Sequence, residues 1–219
     1  MHPADVAGDI VICCRRLWQA GLIAGQDGNV SVRYRPDRLL VTPRGVLKSE
    51  LGPEDLVEVG LDGVYLGGSR QPTSELDLHL RVYRRRGGCG AVVHAHPPAA
   101  SGFAVAGEGI PANVLPEVAL LTGEVPVVPY ATPGTPALGD AVEPYLDDHV
   151  AVLLANHGAL TWAPDLATAR IRMETLEHAA RILLAARTLG RVTRLTPDQM
   201  HDLERLGGQS HHGQSDPGF

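Results

Sequence analysis

The chain has 219 residues, of which 44% are hydrophobic and 20% are charged, a composition typical of one globular domain with a substantial core. Its formal net charge of −6, with no long block of one sign, argues against a broad nucleic-acid-binding surface. No apolar run approaches the roughly 20 residues of a membrane span, and the first residues lack a signal-peptide layout. Its three cysteines form no disulfide-like pattern, so we expect a cytoplasmic protein with no nucleic-acid or membrane partner.

The first predicted element is a helix with one apolar face. Val6, Ile10, Cys13 and Leu17 follow one another at helical spacing, and Gly21 lies just beyond the last of them. Core packing is the simplest role for Cys13, because no CxxC motif points to redox chemistry.

Short strands and further helices alternate along the rest of the chain. Residues 30–34 and 39–41 flank Pro36 and Asp37, which predicts a hairpin. A second helix is predicted from Thr73 or Ser74 to the arginines at 84–86. Residues 91–96 and 150–155 have the apolar pattern of buried strands, and the spacing from 169 to 183 predicts a long amphipathic helix. These elements indicate one α/β or α+β domain over residues 1–207, followed by a disordered tail at 208–219.

Three of the ten histidines have the spacing of a metal site. His94 and His96 are two residues apart on a predicted strand, so both imidazoles project from the same face. The pair alone does not distinguish a metal site from two core histidines. His157 follows an apolar run and precedes a glycine, which suits a ring aimed into a cleft from a strand end. Three histidine ligands with an open position are typical of catalytic zinc.

Glu75 is the candidate acid and base of this site. It follows Thr73 and Ser74, whose hydroxyls suit the capping of a helix start. A first-turn acid favoured by the helix dipole is an equally good interpretation of Glu75 at this point. His79, one turn later, fits a packing or supporting role on the same face.

Several loops combine glycine with hydroxyl or basic side chains. They contain Gly28-Asn29, Thr42-Pro43-Arg44-Gly45 and Thr73-Ser74. Backbone amides, hydroxyls and a guanidinium suit a phosphate or carboxylate, although turn formation alone explains each loop. Neither GxxxxGK[ST] nor GxGxxG occurs, so a nucleotide is not indicated.

Taken together, the motifs resemble those of the class II aldolase/adducin family. They are, in the order of that family, GNVSVR from Gly28, TPRG from Thr42, PTSE from Pro72, HAHP from His94, PYATPGT from Pro129 and NHGAL from Asn156. The L-fuculose-1-phosphate aldolases are the most similar branch. The resemblance implies an α/β/α sandwich around a mostly antiparallel sheet, assembled as a homotetramer with active sites between subunits.

The resemblance also assigns roles to residues. It implies one divalent cation per subunit, zinc first and manganese, cobalt or iron as alternatives, held by His94, His96 and His157 and approached by Glu75. Glu75 is then the general base and acid. The residues matching the family's phosphate site are Asn29, Thr42, Gly45, Thr73 and Ser74, with Gly28 and Arg44 as accessory residues.

The expected activity is that of a lyase of carbohydrate, specifically pentose, catabolism. It would cleave a ketose 1-phosphate, either L-fuculose 1-phosphate or a related deoxypentulose phosphate, to dihydroxyacetone phosphate and an aldehyde. Ile110-Pro111-Ala112 is not followed by the family tyrosine, and no tyrosine occurs beyond Tyr145. These departures keep a decarboxylase of a keto-acid sugar phosphate as the second hypothesis. A 4-epimerase, a methylthio-sugar-phosphate dehydratase and a non-catalytic adducin-like module rank lower.

Overall fold

A computed structural model describes residues 2–212 of the protein. Its strands are β1 (Asn29–Arg35), β2 (Arg38–Val41), β3 (Val57–Gly60), β4 (Tyr65–Gly67), β5 (Ala91–Ala95), β6 (Val127–Val128), β7 (Ala151–Leu154) and β8 (Gly158–Ala163). They form one sheet in the order β4-β3-β2-β1-β5-β8-β7-β6. Every neighbouring pair is antiparallel except β6 and β7, so the predicted mostly antiparallel sheet is confirmed.

Helices cover both faces of this sheet. They are α1 (Pro3–Gln19), α2 (Leu76–Arg85), α3 (Pro98–Ala106), α4 (Pro116–Leu121), α5 (Pro136–Val142), α6 (Leu166–Thr188) and α7 (Pro197–His212). One buried cluster joins α1, α3, α4 and α6 to the sheet, and a second joins α2 and α5 to its opposite face. The α/β/α sandwich expected from the family resemblance is therefore present. In the described part of the chain, no helix is long and apolar enough to cross a membrane.

The first helix and the hairpin confirm the local predictions. Val6, Ile10, Cys13 and Leu17 are all buried on the face of α1 that packs against the sheet. Burial raises the pKa of the Cys13 thiol, which fits an unreactive core residue. The hairpin closes between β1 and β2, where Arg35 pairs with Arg38 across the predicted two-residue turn.

Other element boundaries differ from the predictions. Helix α2 begins at Leu76 rather than at Thr73 or Ser74. The Thr73 hydroxyl, just before the helix, accepts a hydrogen bond from the Glu75 backbone amide at 3.3 Å. Strand β5 ends at Ala95, so His96 lies one residue beyond it. Strand β8 was not predicted. Its six residues are all buried, so they lack the alternation that identifies a half-buried strand.

The tail predicted at 208–219 overlaps the last described helix. Helix α7 runs from Pro197 to His212 and so includes residues 208–212. The rest of that predicted tail, residues 213–219, lies outside the described residues.

Candidate metal and proton-transfer site

Alternation along β1 and β5 determines which polar side chains face α2. Val30 and Val32 point into the cluster beneath α1 and α6, so Asn29 and Ser31 project to the opposite face, beside α2. In the register between β1 and β5, Asn29 is the direct partner of His94. The sheet therefore holds an amide and an imidazole side by side on the α2 face.

The three predicted histidines come together at one end of the sheet. The ring centroids of His94, His96 and His157 lie 4.7–4.9 Å apart, with the ring planes tilted by 58–73°. Their ligand nitrogens all lie within 4.8 Å of one another. The Nε2 atoms of His94 and His96 are 3.1 Å apart. His96 joins the group although it lies beyond the end of its strand.

The orientation of each ring is fixed by the backbone around it. His94 Nδ1 donates to the carbonyl oxygen of Ala159 at 2.9 Å, which turns its Nε2 toward the other two rings. His157 lies in the turn between β7 and β8. The preceding residue, Asn156, has a positive φ of 55°, which gives this turn its left-handed backbone conformation. Glycine is required at position 158 because a Cβ there would lie 2.5 Å from the Ala95 oxygen and 2.6 Å from the His96 ring.

Gly28 has a similar structural reason. Its φ is +68°, and a Cβ would lie 2.8 Å from the His94 carbonyl oxygen and 2.5 Å from Ile23. Gly28 thus allows close packing of the chain behind His94, a role separate from the accessory phosphate contact expected of it.

Glu75 completes the cluster. Its Oε2 lies 3.1 Å from His94 Nε2 and accepts from the Asn29 amide at 2.8 Å, whereas Oε1 lies 3.4 Å from His157 Nε2. Burial acts to raise the pKa of Glu75, but the charge and hydrogen bond of His94, with the Asn29 amide, hold it well below its usual value. The carboxylate is therefore ionised at neutral pH.

The histidines respond to the same charges. Burial acts to lower the pKa of His94, but Glu75 outweighs it, so this pKa lies above the usual 6.5. Burial and the neighbouring His94 lower the pKa of His157 to about 4. The same two causes lower the pKa of His96. Two of the three rings are thus neutral at pH 7, as metal ligands must be.

The donor set fits a divalent cation. Glu75 Oε1 is buried and has no hydrogen-bond partner among the described residues, and His157 Nε2 lies 3.4 Å from it. Converging imidazole nitrogens beside a carboxylate are a ligand set for zinc and for other late divalent metals. Without an ion, His94 must carry a second proton at Nε2 to face the carboxylate favourably.

A cleft of about 500 Å³ opens beside this cluster. Its wall includes Glu75, His96 and His157 together with the predicted anion-binding residues Gly28, Asn29, Arg44, Gly45, Thr73 and Ser74. Ser74, Arg44 and Gly45 are exposed to the cleft, and Gly45 has φ +72°. The volume suits a small phosphorylated sugar.

Two residues matched to the phosphate site have side chains that bond within the protein. Thr42 is fully buried and does not line the cleft. Its hydroxyl accepts a hydrogen bond from the Val30 backbone amide at 3.1 Å. The Asn29 side chain lines the cleft, donates to Glu75, and has its oxygen 2.5 Å from His79 Nε2. Both side chains therefore support the site from behind.

Lys48 is a cleft residue that the sequence interpretation missed. It is only 2% exposed, and its Nζ donates to the carbonyl oxygens of Gln26 and Val46 at 3.1 and 3.0 Å. Burial lowers the pKa of Lys48. The ion pairs of residues 2–206 do not include Lys48 or Arg44. One available signal is that Lys48 is the only lysine in the chain.

Comparison with known proteins agrees with this architecture. The family described as "Class II Aldolase and Adducin N-terminal domain" matches residues 8–184. The chain is 37% identical over 198 residues to 5-deoxy-D-ribulose 1-phosphate aldolase of Bacillus thuringiensis serovar kurstaki, covering 90% of this chain and 92% of that protein. It is 34% identical over 193 residues to 3-oxo-tetronate 4-phosphate decarboxylase of Pectobacterium atrosepticum, covering 85% and 86%.

A solved structure gives the same result. An L-fuculose 1-phosphate aldolase superposes with a TM-score of 0.86 at 32% identity, covering 92% of this chain and 95% of that one. The chain therefore belongs to the class II aldolase and adducin family. The named relatives are both aldolases and decarboxylases, so the family alone leaves the reaction of this chain to be decided at the site.

Proposed function

We propose that this protein is a metal-dependent aldolase of carbohydrate, specifically pentose, catabolism. It would cleave a ketose 1-phosphate, L-fuculose 1-phosphate or a related deoxypentulose phosphate, to dihydroxyacetone phosphate and an aldehyde. The observation that carries the proposal is the buried, ionised Glu75 within 3.4 Å of two imidazoles, at the wall of a cleft rich in anion donors. The 37% identity to a deoxypentulose phosphate aldolase supports the substrate class.

His94, His96 and His157 would hold the cation, with Glu75 beside it. Zinc is the first choice for this ligand set, and manganese, cobalt and iron are alternatives. When bound, a divalent cation supplies positive charge near the oxygens on which negative charge develops during carbon–carbon cleavage.

Glu75 would carry the proton transfer. In the direction of synthesis it takes a proton from the hydroxyl-bearing carbon of dihydroxyacetone phosphate, and in cleavage it returns that proton. Its Oε1 has no hydrogen-bond partner among residues 2–206, so this oxygen is free for the substrate. A family epimerase would have aspartate here, so the glutamate favours cleavage over 4-epimerisation. The intact histidine cluster argues against a non-catalytic adducin-like module.

The substrate phosphate would bind in the same cleft as Glu75. Ser74 and Thr73 supply hydroxyls, Gly45 supplies a backbone amide, and Arg44 with Lys48 supplies positive charge. Lys48 uses two of its three N–H groups on backbone carbonyls, and one remains for an anion.

A product assay tests the reaction. The purified, metal-analysed protein is incubated with a panel of ketose 1-phosphates and, separately, with keto-acid sugar phosphates. Release of dihydroxyacetone phosphate from the first panel supports the aldolase. Carbon dioxide from the second panel, with none of that product from the first, would instead establish the decarboxylase. Arg44, an exposed cation in the cleft without an ion pair in the described chain, is the feature that favours this second candidate, since it suits a substrate carboxylate.

Replacing Lys48 by methionine is expected to raise KM for the phosphorylated substrate about tenfold or more with little change in kcat. The reason is that a charge-assisted hydrogen bond contributes about 1.5–3 kcal/mol. Steady-state kinetics measure this, and Arg205→Met, which removes an exposed positive charge outside the cleft, is the control.

The unique lysine also permits a direct binding test. An amine reagent modifies Lys48, and mass spectrometry of the peptide containing residue 48 measures the rate. Inorganic phosphate should slow this modification, whereas sodium chloride at equal ionic strength should not. Equal rates in both salts would remove Lys48 from the proposed phosphate site.

The proposal includes a cytoplasmic homotetramer with active sites between subunits. The tetramer rests on the family resemblance. Light scattering on the 23.3 kDa chain tests it, and a monomer at assay concentrations would contradict it.

A further inference from the structure

A buried chain of hydrogen bonds leads from Glu75 into the space between β1 and α2. Asn29 Nδ2 donates to Glu75 Oε2 at 2.8 Å, and Asn29 Oδ1 lies 2.5 Å from His79 Nε2. His79 Nδ1 lies 2.6 Å from Ser31 Oγ, which lies 2.9 Å from the Tyr83 hydroxyl. All five residues are buried, and His79 and Ser31 are fully so.

The spacing of the two elements makes this chain possible. Asn29 and Ser31 are two residues apart on β1, and His79 and Tyr83 are four apart on α2. Both intervals correspond to about 6–7 Å along their element, so the two pairs match across the interface. Apolar side chains could fill the same space without any need for hydrogen bonds. Four polar side chains behind one carboxylate therefore indicate a purpose beyond packing.

The charge on Glu75 determines the direction of every donor. A carboxylate only accepts, so the Asn29 amide must present Nδ2 to it, and Asn29 Oδ1 then needs a donor. His79 Nε2 must be that donor, which leaves Nδ1 as an acceptor for the Ser31 hydroxyl. The Tyr83 hydroxyl donates to the backbone carbonyl oxygen of Ser31 at 2.8 Å. From Ser31 through His79 and Asn29, the side-chain donations thus run toward Glu75.

We propose that His79 is a positioning residue for Glu75, acting through Asn29 and held in its tautomer by the Ser31 hydroxyl. The inference rests on the proposed function, in which Glu75 transfers the proton. With His79 in place, Asn29 cannot rotate its amide oxygen toward the carboxylate. Oε2 is thereby fixed, and Oε1 is aimed at His157 and the cleft.

Kinetics of paired variants test the inference. His79→Phe removes the donor to Asn29 and is expected to lower kcat about 10- to 100-fold, with KM within about twofold and metal content unchanged. His79→Gln can donate to Asn29 and accept from Ser31, so it should recover most of kcat. Ser31→Ala is a smaller change, which serves as the test if His79→Phe does not fold. It should lower kcat by less than His79→Phe does, with KM unchanged.

Matched controls separate this effect from general damage to the fold. His149→Phe removes an imidazole that hydrogen-bonds the Glu124 carbonyl oxygen, away from the cleft. Thr161→Val removes a buried hydroxyl bonded to Ala169 on the far side of β8. Both should retain the kcat of the parent protein.

The imidazole nitrogen spectrum gives a readout that does not depend on activity. In protein labelled with ¹⁵N-histidine, the signals lost in His79→Phe belong to His79. They should show a protonated Nε2 and an unprotonated Nδ1. The opposite tautomer, or wild-type kcat in both His79→Phe and Ser31→Ala, would overturn the inference. If Glu75→Gln is inactive while those variants are fully active, only the positioning role fails, whereas full activity in Glu75→Gln removes the proposed base itself.

Discussion

Replacing Glu75 by glutamine is expected to lower kcat about 10²- to 10⁴-fold, the usual contribution of general acid–base catalysis. Glutamine has the same shape, and its amide oxygen can still accept from Asn29. The fold and the three imidazoles should therefore persist, while a group able to take and return a proton is lost. Turnover with a ketose 1-phosphate, together with metal analysis of the same sample, measures both expectations.

The control for this variant is Glu58→Gln. Glu58 is a partly buried glutamate that hydrogen-bonds Arg38 at 2.7 Å and lies outside the cleft. It should keep the kcat of the parent protein. Full activity in Glu75→Gln would remove the assignment of Glu75 as base, whereas loss of activity together with loss of metal would make Glu75 chiefly a ligand.

Local sequence patterns were sufficient for much of the fold and for the histidine cluster. The helical face of α1 and the Pro36-Asp37 hairpin depend on neighbouring residues only, so periodicity and turn chemistry identify them. The His94–His96 spacing likewise survives, although β5 ends one residue before His96. The family motifs then placed His157 with them.

Features that depend on long-range contacts could not be predicted in this way. Lys48 becomes a cleft residue only because two carbonyls, one of them 22 residues earlier in the chain, hold its ammonium group. The contacts of Asn29 with Glu75 and His79 were not predicted either, since these partners lie 46 and 50 residues away in the sequence. A sequence pattern does not specify which distant groups an amide side chain will hydrogen-bond in the folded protein.

Removal of the His96 side chain is expected to deplete the bound metal. Its Nε2 lies 3.1 Å from that of His94, so His96→Ala removes one of three converging nitrogens. The affinity for the metal should fall by more than about 100-fold, because removing only a residue that supports a ligand already lowers it by up to that factor. Metal analysis after dialysis against a buffered zinc solution measures it. His178→Ala, which removes an exposed histidine on α6, is the control.

Acid should weaken metal binding in the parent protein for a related reason. The cation and a proton compete for His94 Nε2, and Glu75 raises the pKa of His94 above its usual 6.5. Affinity should therefore begin to fall as the pH decreases through that raised pKa, before the other two rings protonate. In Glu75→Gln the carboxylate that stabilises protonated His94 is gone, so the pKa of His94 falls. The decline in metal affinity should therefore occur at lower pH. A stoichiometric metal content in purified His96→Ala, or an unchanged pH profile in Glu75→Gln, would contradict a metal site built from these four side chains.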